Sequence, residues 1–313
     1  MHLEREARLK GFDIMKGESN KPLVSVIIPT YKRRDKLLHC LDSVFSSTYK
    51  NIEVIVINDC PEDDISVTLS KYNLRFAQHK SETRLAKSRN EGSELAMGEY
   101  LFLVDDDNLL ANDCIELLVN EYRKNPNIGI LGPLMYDTHG NIWFYGAKAT
   151  WRNPNPKPVD KLQLSNELIE TDVIPNAYFV SKEVFQKIGG EDYKIFPSHH
   201  SEVDLAQRLK GLGYKNYIYT KAKTLHDYGS IYTHMDPARL YQTVKSNFII
   251  EKKYADRKNY VIFFLAFVPT HILYYWLYII PFKCTNKVQF YKSYFNGFLE
   301  GIKFKRKMTH SLK

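Results

Sequence analysis

Short apolar runs alternate with longer amphipathic stretches through the first hundred residues. Residues 24–29 read VSVIIP, a continuous apolar run typical of a parallel strand covered on both faces. Residues 34–45 then place apolar side chains at helical spacing. The alternation continues through a strand EVIVIN, a helix at 64–71, a strand at 74–77, a helix at 84–97 and a strand YLFLV. This order predicts an α/β fold with a doubly wound, mainly parallel sheet.

The pattern changes after about residue 129. Strand-like pieces at 128–135 and 141–145 precede a loop at 153–160 with three prolines, and further helices and strands cover 173–220. We therefore predict a charged N-terminal lead over 1–21 and one folded domain over 22–250, with halves at 22–128 and 129–250.

Residues 260–282 carry no charge and are numerous enough to span ~30 Å of hydrocarbon as a helix. Pro269 interrupts this run, and basic residues flank both of its ends. Since Lys and Arg prefer the cytoplasmic side of a membrane, both ends favour the same side. The pattern thus favours a re-entrant or interfacial helical hairpin broken near Pro269 over a single crossing. A buried core helix of a soluble domain is the remaining alternative.

The segment that follows is predicted to be an amphipathic helix. Apolar side chains recur there at helical spacing, which suits a helix lying among lipid headgroups. They are Val288, Tyr291, Phe295, Phe298 and Ile302. Residues 251–313 are therefore predicted to form a membrane-associated tail.

The net charge of +8 is concentrated in this tail. Residues 283–313 hold eight lysines and arginines against one acid, Glu300, and so carry +7. Nucleic-acid-binding proteins more often spread basic residues over a folded face with base-stacking aromatics. A basic segment beside an apolar run instead fits anionic lipid. We expect no nucleic-acid partner and a location at the cytoplasmic face of a membrane, peripheral or integral through this segment.

The cysteines and the N-terminus give two smaller indications. Cys40, Cys60, Cys114 and Cys284 lie far apart, which fits a reduced intracellular setting and disfavours a structural zinc site. Residues 1–13 lack the apolar stretch of a cleavable secretory signal.

Three consecutive acids, Asp105, Asp106 and Asp107, follow the apolar strand YLFLV. In open α/β sheets ligands bind at the carboxyl ends of the strands. Adjacent carboxylates repel one another unless a cation joins them, and oxygen ligands suit Mg²⁺ or Mn²⁺ with substrate phosphates. The alternative is a solvated acidic turn that caps the next helix.

Five ordered stretches resemble family-2 glycosyltransferases with the GT-A fold, over about residues 23–226. They are VSVIIPTYKRRDKLLHCLDSV, EVIVIND, ETRLAKSRNEGSELAMGEYLFLVDDDN, GGEDYKIF and SEVDLAQRLKGLGYK. Their order and separation make the match specific. The resemblance implies a GT-A catalytic domain with a nucleotide-binding half at 22–128 and an acceptor half at 129–250.

The resemblance also implies roles for donor-binding residues. Pro29 and Tyr31, in the loop after the first strand, would lie against the base and ribose of a nucleotide. Asp59 would accept a hydrogen bond from a ring N–H of the base, and Arg84 would approach the base or the diphosphate.

Among the three acids, Asp105 would face the ribose or the metal, Asp106 is a donor contact, and Asp107 would ligate a metal on the diphosphate. Members often place a histidine where this chain has His226, as a further metal or phosphate contact; the alternative is a structural histidine.

The general base is expected from the motif Ser201-Glu202-Val203-Asp204. Family members tend to read Glu-Asp-x-Asp there, so Glu202 occupies the position of the base, and Asp204 is the reserve candidate. The alternative is the first turn of a helix enriched in acids. In the preceding GGEDYKIF, Glu191 stands where members usually have Phe.

Together these features predict an inverting transferase that moves a sugar from a nucleotide diphosphate to a hydroxyl of a glycan acceptor, with Mn²⁺ or Mg²⁺. The apolar tail favours a lipid-linked acceptor at the membrane surface. Alternatives are a transferase with a soluble or protein acceptor and a non-catalytic membrane scaffold. Nucleotidylyl transfer on a similar sheet would need a Gly-rich loop after the first strand. The segment PTYKRRD in that place has no Gly, which disfavours this activity.

Overall fold

The computed structural model describes residues 21–227, 236–283 and 286–305. These residues divide into two compact units. The first contains 21–147, 158–197 and 201–227, and the second contains 148–157, 198–200, 236–283 and 286–305. Residues 1–20 of the predicted lead and 306–313 of the predicted basic tail lie outside the described residues, as does Cys284.

A ten-stranded sheet is the centre of the first unit as described. The strands, with the short pair β8 and β9 apart from this sheet, are β1 (Val24–Thr30), β2 (Ile52–Asn58), β3 (Arg75–Gln78), β4 (Tyr100–Val104), β5 (Asn108–Leu110), β6 (Ile128–Asp137), β7 (Ile142–Phe144), β8 (Ala147–Lys148), β9 (Lys157–Pro158), β10 (Leu168–Glu170), β11 (Ala177–Ser181) and β12 (Lys215–His226). The order is β10-β12-β6-β11-β4-β1-β2-β3, with β5 beside β12 and β7 beside β6.

The half of the sheet built from β3, β2, β1 and β4 is parallel throughout. Strand β11 runs antiparallel between β4 and β6, while β6 and β12 are again parallel. Because β1, β2 and β4 point the same way, the residues that follow them meet at one edge of the sheet.

Helices cover both faces of this sheet. They are α1 (Arg34–Phe45), α2 (Ser66–Leu69), α3 (Leu85–Leu95), α4 (Cys114–Lys124), α5 (Lys182–Lys187) and α6 (Ser201–Gly211). Alternate side chains of β1 face opposite sides: Val26 and Ile28 join the core with α1 and α4, and Ile27 joins the core with α5 and α6. The prediction of a doubly wound, mainly parallel α/β sheet is confirmed.

The second unit consists mainly of three helices, α7 (Pro237–Tyr254), α8 (Arg257–Ile279, continuing as Ile280–Lys283) and α9 (Lys287–Lys303). Phe248, Phe263, Phe290 and Tyr294 are among its buried side chains. Helix α7, whose residues fall within the predicted domain over 22–250, packs along α9 in this unit.

Helix α8 is one continuous helix, so the prediction of a hairpin broken near Pro269 is wrong. A π-helical turn at Phe263–Phe267 directly precedes the proline, and such a wider turn gives its ring room beside the preceding carbonyls. The Thr270 hydroxyl donates to the carbonyls of Ala266 and Phe267 at 3.1 and 2.8 Å. By length and composition, α8 is apolar enough to cross a membrane.

Helix α9 confirms that the last apolar repeat is helical, and residues of this repeat lie on both its exposed and its packed sides, with Tyr291, Phe298 and Ile302 partly buried. Val288 and Phe295 are exposed, whereas Phe290 and Tyr294 are buried. A Cβ on Gly301 would lie 2.5 Å from the Cβ of Phe248. The close approach of α7 therefore selects the face that carries glycine, which a search for large apolar residues overlooks.

Candidate active site

Three loops place the predicted donor residues at the carboxyl edge of the parallel strands. Pro29 ends β1 next to Thr30, Asp59 directly follows β2, and Asp105–Asp107 directly follow β4. This edge is the usual ligand-binding edge of an open α/β sheet.

Asp59 is nearly buried and accepts several hydrogen bonds. The backbone N–H groups of Thr83 and Arg84 donate to its two oxygens at 2.7 and 2.8 Å, and His79 Nδ1 lies 2.7 Å from Oδ1. Burial by itself raises the pKa of a carboxyl group, but these hydrogen bonds outweigh it and lower the pKa of Asp59. Asp59 is thus a fixed anion beside the loop after β3.

His79 was missed in the sequence because a lone histidine carries no motif. Its second nitrogen, Nε2, is hydrogen-bonded to Glu91 of α3. Burial lowers the pKa of an imidazole, yet the bonds to Asp59 and Glu91 raise the pKa of His79 to about 9. His79 is therefore a cation that links the two acids.

Of the other predicted donor residues, Tyr31 and Arg84 are partly exposed at this edge, whereas Pro29 lies within strand β1 and not in the loop after it. The Tyr31 ring is 38% exposed, and the Lys32 ammonium lies 5.2 Å from its centre. Arg84 has a positive φ of 77°, which turns its N–H towards Asp59, while its side chain pairs with Glu82 at 2.9 Å. Pro29 is buried in β1 opposite Ile57 of β2.

Two arginines and one hydroxyl bind the three consecutive acids, and Arg33 contacts two of them, since its Nη2 also lies 2.8 Å from Asp106 Oδ1. Asp105 Oδ1 accepts from Arg89 Nη2 at 2.7 Å, and Asp106 Oδ2 accepts from the Thr30 hydroxyl at 2.7 Å. Asp107 Oδ2 accepts from Arg33 Nη1 at 2.6 Å. Burial raises the pKa of Asp105, although Arg89 opposes the shift, and raises the pKa of Asp106 to about 7.

Asp107 and His226 lie side by side. His226 Nε2 is 3.4 Å from Asp107 Oδ1, because the end of β12 pairs with β5 directly after the acids. Burial alone raises the pKa of a carboxyl group, but His226 and Arg33 outweigh it and lower the pKa of Asp107. Asn176 Nδ2 also lies 3.0 Å from the same His226 nitrogen. One carboxylate and one imidazole nitrogen are thus close together, and both are ligand types that bind divalent cations.

The predicted three-ligand set of Asp105, Asp107 and His226 is not assembled. Within 21–227, 236–283 and 286–305, no group of three His, Cys, Asp or Glu side chains is arranged to hold a metal. The reason is Arg89, which draws the carboxylate of Asp105 to itself at 2.7 Å.

Glu202 lies in the first turn of α6 and retains some exposure, 17% of its side chain. Its Oε1 accepts from Arg89 Nη1 at 2.7 Å and its Oε2 from the Ser201 hydroxyl at 3.1 Å. Each carboxylate oxygen has a second lone-pair direction, so Glu202 can still accept a proton from a ligand.

Asp204, the reserve candidate, is in a different environment. Its side chain is fully buried and accepts from Arg208 Nε at 2.7 Å. Arg208 also donates to the carbonyl of Gly190 at 2.6 Å. This arrangement ties α6 to the turn before Glu191 and leaves Asp204 without access to an acceptor hydroxyl.

Arg89 connects the end of β4 to the start of α6, a contact that the motif SRN does not indicate. Its side chain is fully buried, and it contacts Asp105, Glu191 and Glu202. A buried arginine requires partners, but its three partners lie 16, 102 and 113 positions later in the chain, so no local pattern indicated them.

Comparisons with known proteins agree with this geometry. The model of glycosyl transferase family 2 matches residues 25–189, just over half of the 313 residues. An uncharacterized glycosyltransferase of Haemophilus influenzae is 28% identical over 171 residues, 54% of this chain and 56% of that protein. One of Rickettsia typhi is 24% identical over 242 residues, 75% of this chain and 74% of that protein. The match to the Haemophilus relative thus spans about half of its length.

Two solved structures share the fold. The structure of GalNAc-T7 with UDP, GalNAc and Mn²⁺ has a TM-score of 0.61 at 15% identity, covering 77% of this chain and 49% of that chain. A mannosyltransferase of Pyrobaculum calidifontis in complex with GDP-Man and Mn²⁺ has a TM-score of 0.56 at 15% identity, covering 94% and 88%. With the family match and the parallel sheet, these likenesses establish that the chain belongs to glycosyl transferase family 2 and has the GT-A fold.

Proposed function

We propose that this chain transfers a sugar from a nucleotide diphosphate to a hydroxyl group with inversion at the anomeric carbon. The observation that carries the proposal is that Arg89 joins Asp105, at the donor edge, to Glu202, the predicted base, with hydrogen bonds of 2.7 Å to each. A donor-binding acid and a partly exposed carboxylate thus stand on either side of one guanidinium.

The donor is held at the edge formed by the ends of β1, β2 and β4. Asp59 accepts from a ring N–H of the base, for which its fixed carboxylate is suited, and Tyr31 offers an exposed ring beside the ribose. Arg33, whose side chain is 44% exposed, can exchange its carboxylates for diphosphate oxygens. The neighbours with the same fold were solved with UDP and with GDP-Man, which supports a nucleotide sugar as donor.

Asp107 and His226 are the residues that would hold a divalent cation. The two neighbours contain Mn²⁺, and one or two protein ligands suffice where phosphate oxygens complete the shell. When bound, such a cation stabilises the negative charge that develops on the departing diphosphate. Asp105 is left out of this pair because its Oδ1 accepts from Arg89 at 2.7 Å, which holds it beside the guanidinium.

Glu202 acts as the general base in a single displacement. One of its oxygens takes the proton of the acceptor hydroxyl, and that hydroxyl oxygen forms a bond to the anomeric carbon. The bond from the anomeric carbon to the diphosphate oxygen breaks, and the electron pair leaves with the nucleotide diphosphate. No covalent sugar–protein intermediate is required, so the configuration inverts.

A lipid-linked acceptor at a membrane surface is favoured by the second unit. The most apolar stretch of α8 is only 17% buried in the structure. Leu265, Leu277 and Tyr278 are 74%, 55% and 62% exposed, which water disfavours and a bilayer would accept. A transferase with a soluble acceptor could use the same surface only for self-association.

The test is a donor screen followed by two variants. The full chain is assayed for release of UDP, GDP or dTDP from the corresponding sugars, with Mn²⁺ or Mg²⁺ and with EDTA. Glu202→Gln should lower kcat by ~10²–10⁴-fold while the affinity for UDP or GDP stays close to wild type. Asp107→Ala should abolish the metal-dependent part of nucleotide binding.

Asp204→Asn is the matched control for Glu202→Gln, since both changes neutralise one acid of α6. Full activity in EDTA would contradict the proposed role of a divalent cation. An active Glu202→Gln together with an inactive but folded Asp204→Asn would transfer the role of base to Asp204.

A further inference from the structure

Glu191 is a buried acid that the proposed reaction does not use. Its side chain is fully buried. Oε1 accepts from Arg89 Nη1 at 2.9 Å and from the Tyr178 hydroxyl at 2.5 Å, while Oε2 has no hydrogen-bond partner in the described structure. Burying a carboxylate costs stability, so its contacts call for a functional explanation.

The main chain of Glu191 is fixed to the same helix that carries Arg89. The N–H of Glu191 donates to Asn90 Oδ1 at 2.9 Å, and Asn90 Nδ2 donates to the Glu191 carbonyl at 2.8 Å. Since Asn90 follows Arg89 in α3, the same helix holds both the main chain of Glu191 and the guanidinium of Arg89. Glu191 therefore has little freedom to follow Arg89 if Arg89 moves.

Arg89 links the fixed position of Glu191 to that of Glu202. The same nitrogen, Nη1, donates to Glu191 at 2.9 Å and to Glu202 at 2.7 Å. The other terminal nitrogen donates to Asp105, and the Tyr178 ring lies 5.4 Å from the guanidinium carbon. A shift of Arg89 away from Glu191 would thus change the direction of the hydrogen bond to Glu202.

We infer that Glu191 is a positioning residue for the base: it fixes Arg89, and Arg89 fixes the carboxylate of Glu202 towards the acceptor hydroxyl. This inference rests on the proposed role of Glu202. A glutamate that only stabilised the fold would affect all steps alike. A positioning glutamate affects the chemical step, and only while Glu202 is present.

The experiment is a double-mutant cycle between Glu191→Ala and Glu202→Gln in the full chain. UDP-GlcNAc and GDP-mannose are the donors, release of UDP or GDP is the signal, and binding of UDP and GDP is measured separately by calorimetry. Glu191→Ala should lower kcat by about ten- to a hundredfold. Its donor KM and nucleotide affinity should stay within about threefold of wild type. In the Glu202→Gln background the same change should cost nothing further.

The conservative variant Glu191→Gln keeps the oxygen that accepts from both Arg89 and Tyr178. It should therefore restore most of the kcat lost in Glu191→Ala. If Glu191→Ala does not fold, Tyr178→Phe takes its place in the cycle, because the Tyr178 hydroxyl holds the same Glu191 oxygen. Tyr178→Phe should lower kcat less than Glu191→Ala does, and it should have no effect on kcat in the Glu202→Gln background.

Glu53→Ala is the control for removing a buried glutamate elsewhere. Glu53 is 1% exposed, accepts from Ser25 at 2.5 Å and from the N–H of Gly98 at 3.0 Å, and lies at the start of β2, away from the carboxyl edge. Glu53→Ala should lower the free energy of unfolding. It should leave the kcat of the folded protein unchanged when it is added to the wild-type chain and when it is added to Glu202→Gln.

An equal fold loss from Glu191→Ala in both backgrounds would overturn the inference, as would loss of UDP and GDP binding in that variant. A Glu191→Gln variant as slow as Glu191→Ala would also overturn it. Failure of the proposed base is recognised separately: Glu202→Gln by itself would then keep wild-type kcat.

Discussion

Arg89 and Arg33 divide the acids of the site between them. Arg89 is fully buried and holds Asp105 and Glu202, whereas Arg33 is 44% exposed and holds Asp107. A buried cation among carboxylates stays in place because leaving them uncompensated is costly. An exposed cation can exchange its partners at little cost. Arg33 is therefore the arginine expected to move when donor and metal bind.

Arg33→Gln should tighten binding of Mn²⁺ to the nucleotide-free chain, because it removes the cation that competes for Asp107. Arg33 is solvent-exposed, and exposed ion pairs contribute ~0.2–1 kcal/mol, so we expect about a 1.4- to fivefold gain in affinity by electron paramagnetic resonance. Arg34→Gln is the control, since Arg34 pairs with Asp63 instead. Weaker Mn²⁺ binding in Arg33→Gln would show that Arg33 does not compete with the metal.

His79 makes the stability of the first unit depend on pH. Its pKa is raised from 6.5 to about 9 in the folded chain. A raised pKa means that the stabilisation is complete below the unfolded value and is lost as pH rises through about 9. The free energy of unfolding in urea should therefore fall by roughly 1–3 kcal/mol between pH 6.5 and 9. His79→Gln should abolish this slope, and an unchanged slope would refute the assignment.

At the scale of elements, the turn between α5 and Glu191 positions the buried acid. Gly189 and Gly190 both have positive φ, 79° and 66°, which favours glycine. Only Gly190 is also crowded, because a Cβ there would lie 2.6 Å from Asn90 Oδ1. Asn90 is the residue that holds the main chain of Glu191, so the turn and α3 are coupled.

Gly190→Ala and Gly189→Ala form a matched pair. Their comparison separates the backbone strain of a positive φ from the steric contact between a Cβ and Asn90. Gly189→Ala should cost ~1–2 kcal/mol of unfolding free energy, the cost of the left-handed conformation alone. Gly190→Ala should cost more, about 2–4 kcal/mol, because Asn90 must also move. Thermal and urea unfolding measure both. Equal losses would show that the contact with Asn90 adjusts without strain.

Helix α8 shows how an element can absorb a residue that normally ends it. The π-helical turn at Phe263–Phe267 lets the helix continue past Pro269, so the apolar residues before and after the proline lie on one continuous helix. The length of that helix, Arg257–Ile279, suits a bilayer. A continuous helix presents its exposed apolar residues along its whole length, which a broken hairpin would not.

At the scale of the molecule, membrane association should depend on α8 more than on charge. The full chain is expected to remain in the membrane fraction after a high-salt wash, because salt screens lipid headgroup contacts but not apolar burial. Leu265→Asp with Leu277→Asp should move a substantial part of the chain to the soluble fraction, since each charge costs ~2.5–3.5 kcal/mol at the bilayer centre.

Val67→Asp is the control for this change. Val67 is 81% exposed on α2 of the first unit, so its replacement adds a charge without touching α8. Replacing Lys303 and Lys305 with Gln should weaken binding to anionic vesicles only partly. A full chain that sediments as a soluble monomer without detergent would contradict the membrane proposal.

The sequence by itself determined the parallel half of the sheet and the positions of its acids. Continuous apolar runs are buried on both faces, and the residue after each parallel strand must reach the same edge. For this reason the pattern of strands is enough to place Asp59 and Asp107 at that edge. His226 could be paired with Asp107 only by family resemblance, because 119 positions separate them.

Tertiary structure alone decided how the charges pair. Which carboxylate Arg89 holds depends on distances between side chains that are remote in the chain, such as Arg89 and Glu202, and no local pattern encodes them. The same limit explains the continuous helix through Pro269 and the glycine face of α9, where backbone adjustment and close helix approach decide the outcome. The periodicity of apolar residues indicates which side chains are buried. The pairing of charged side chains and the close approach of helices depend on how the whole chain folds.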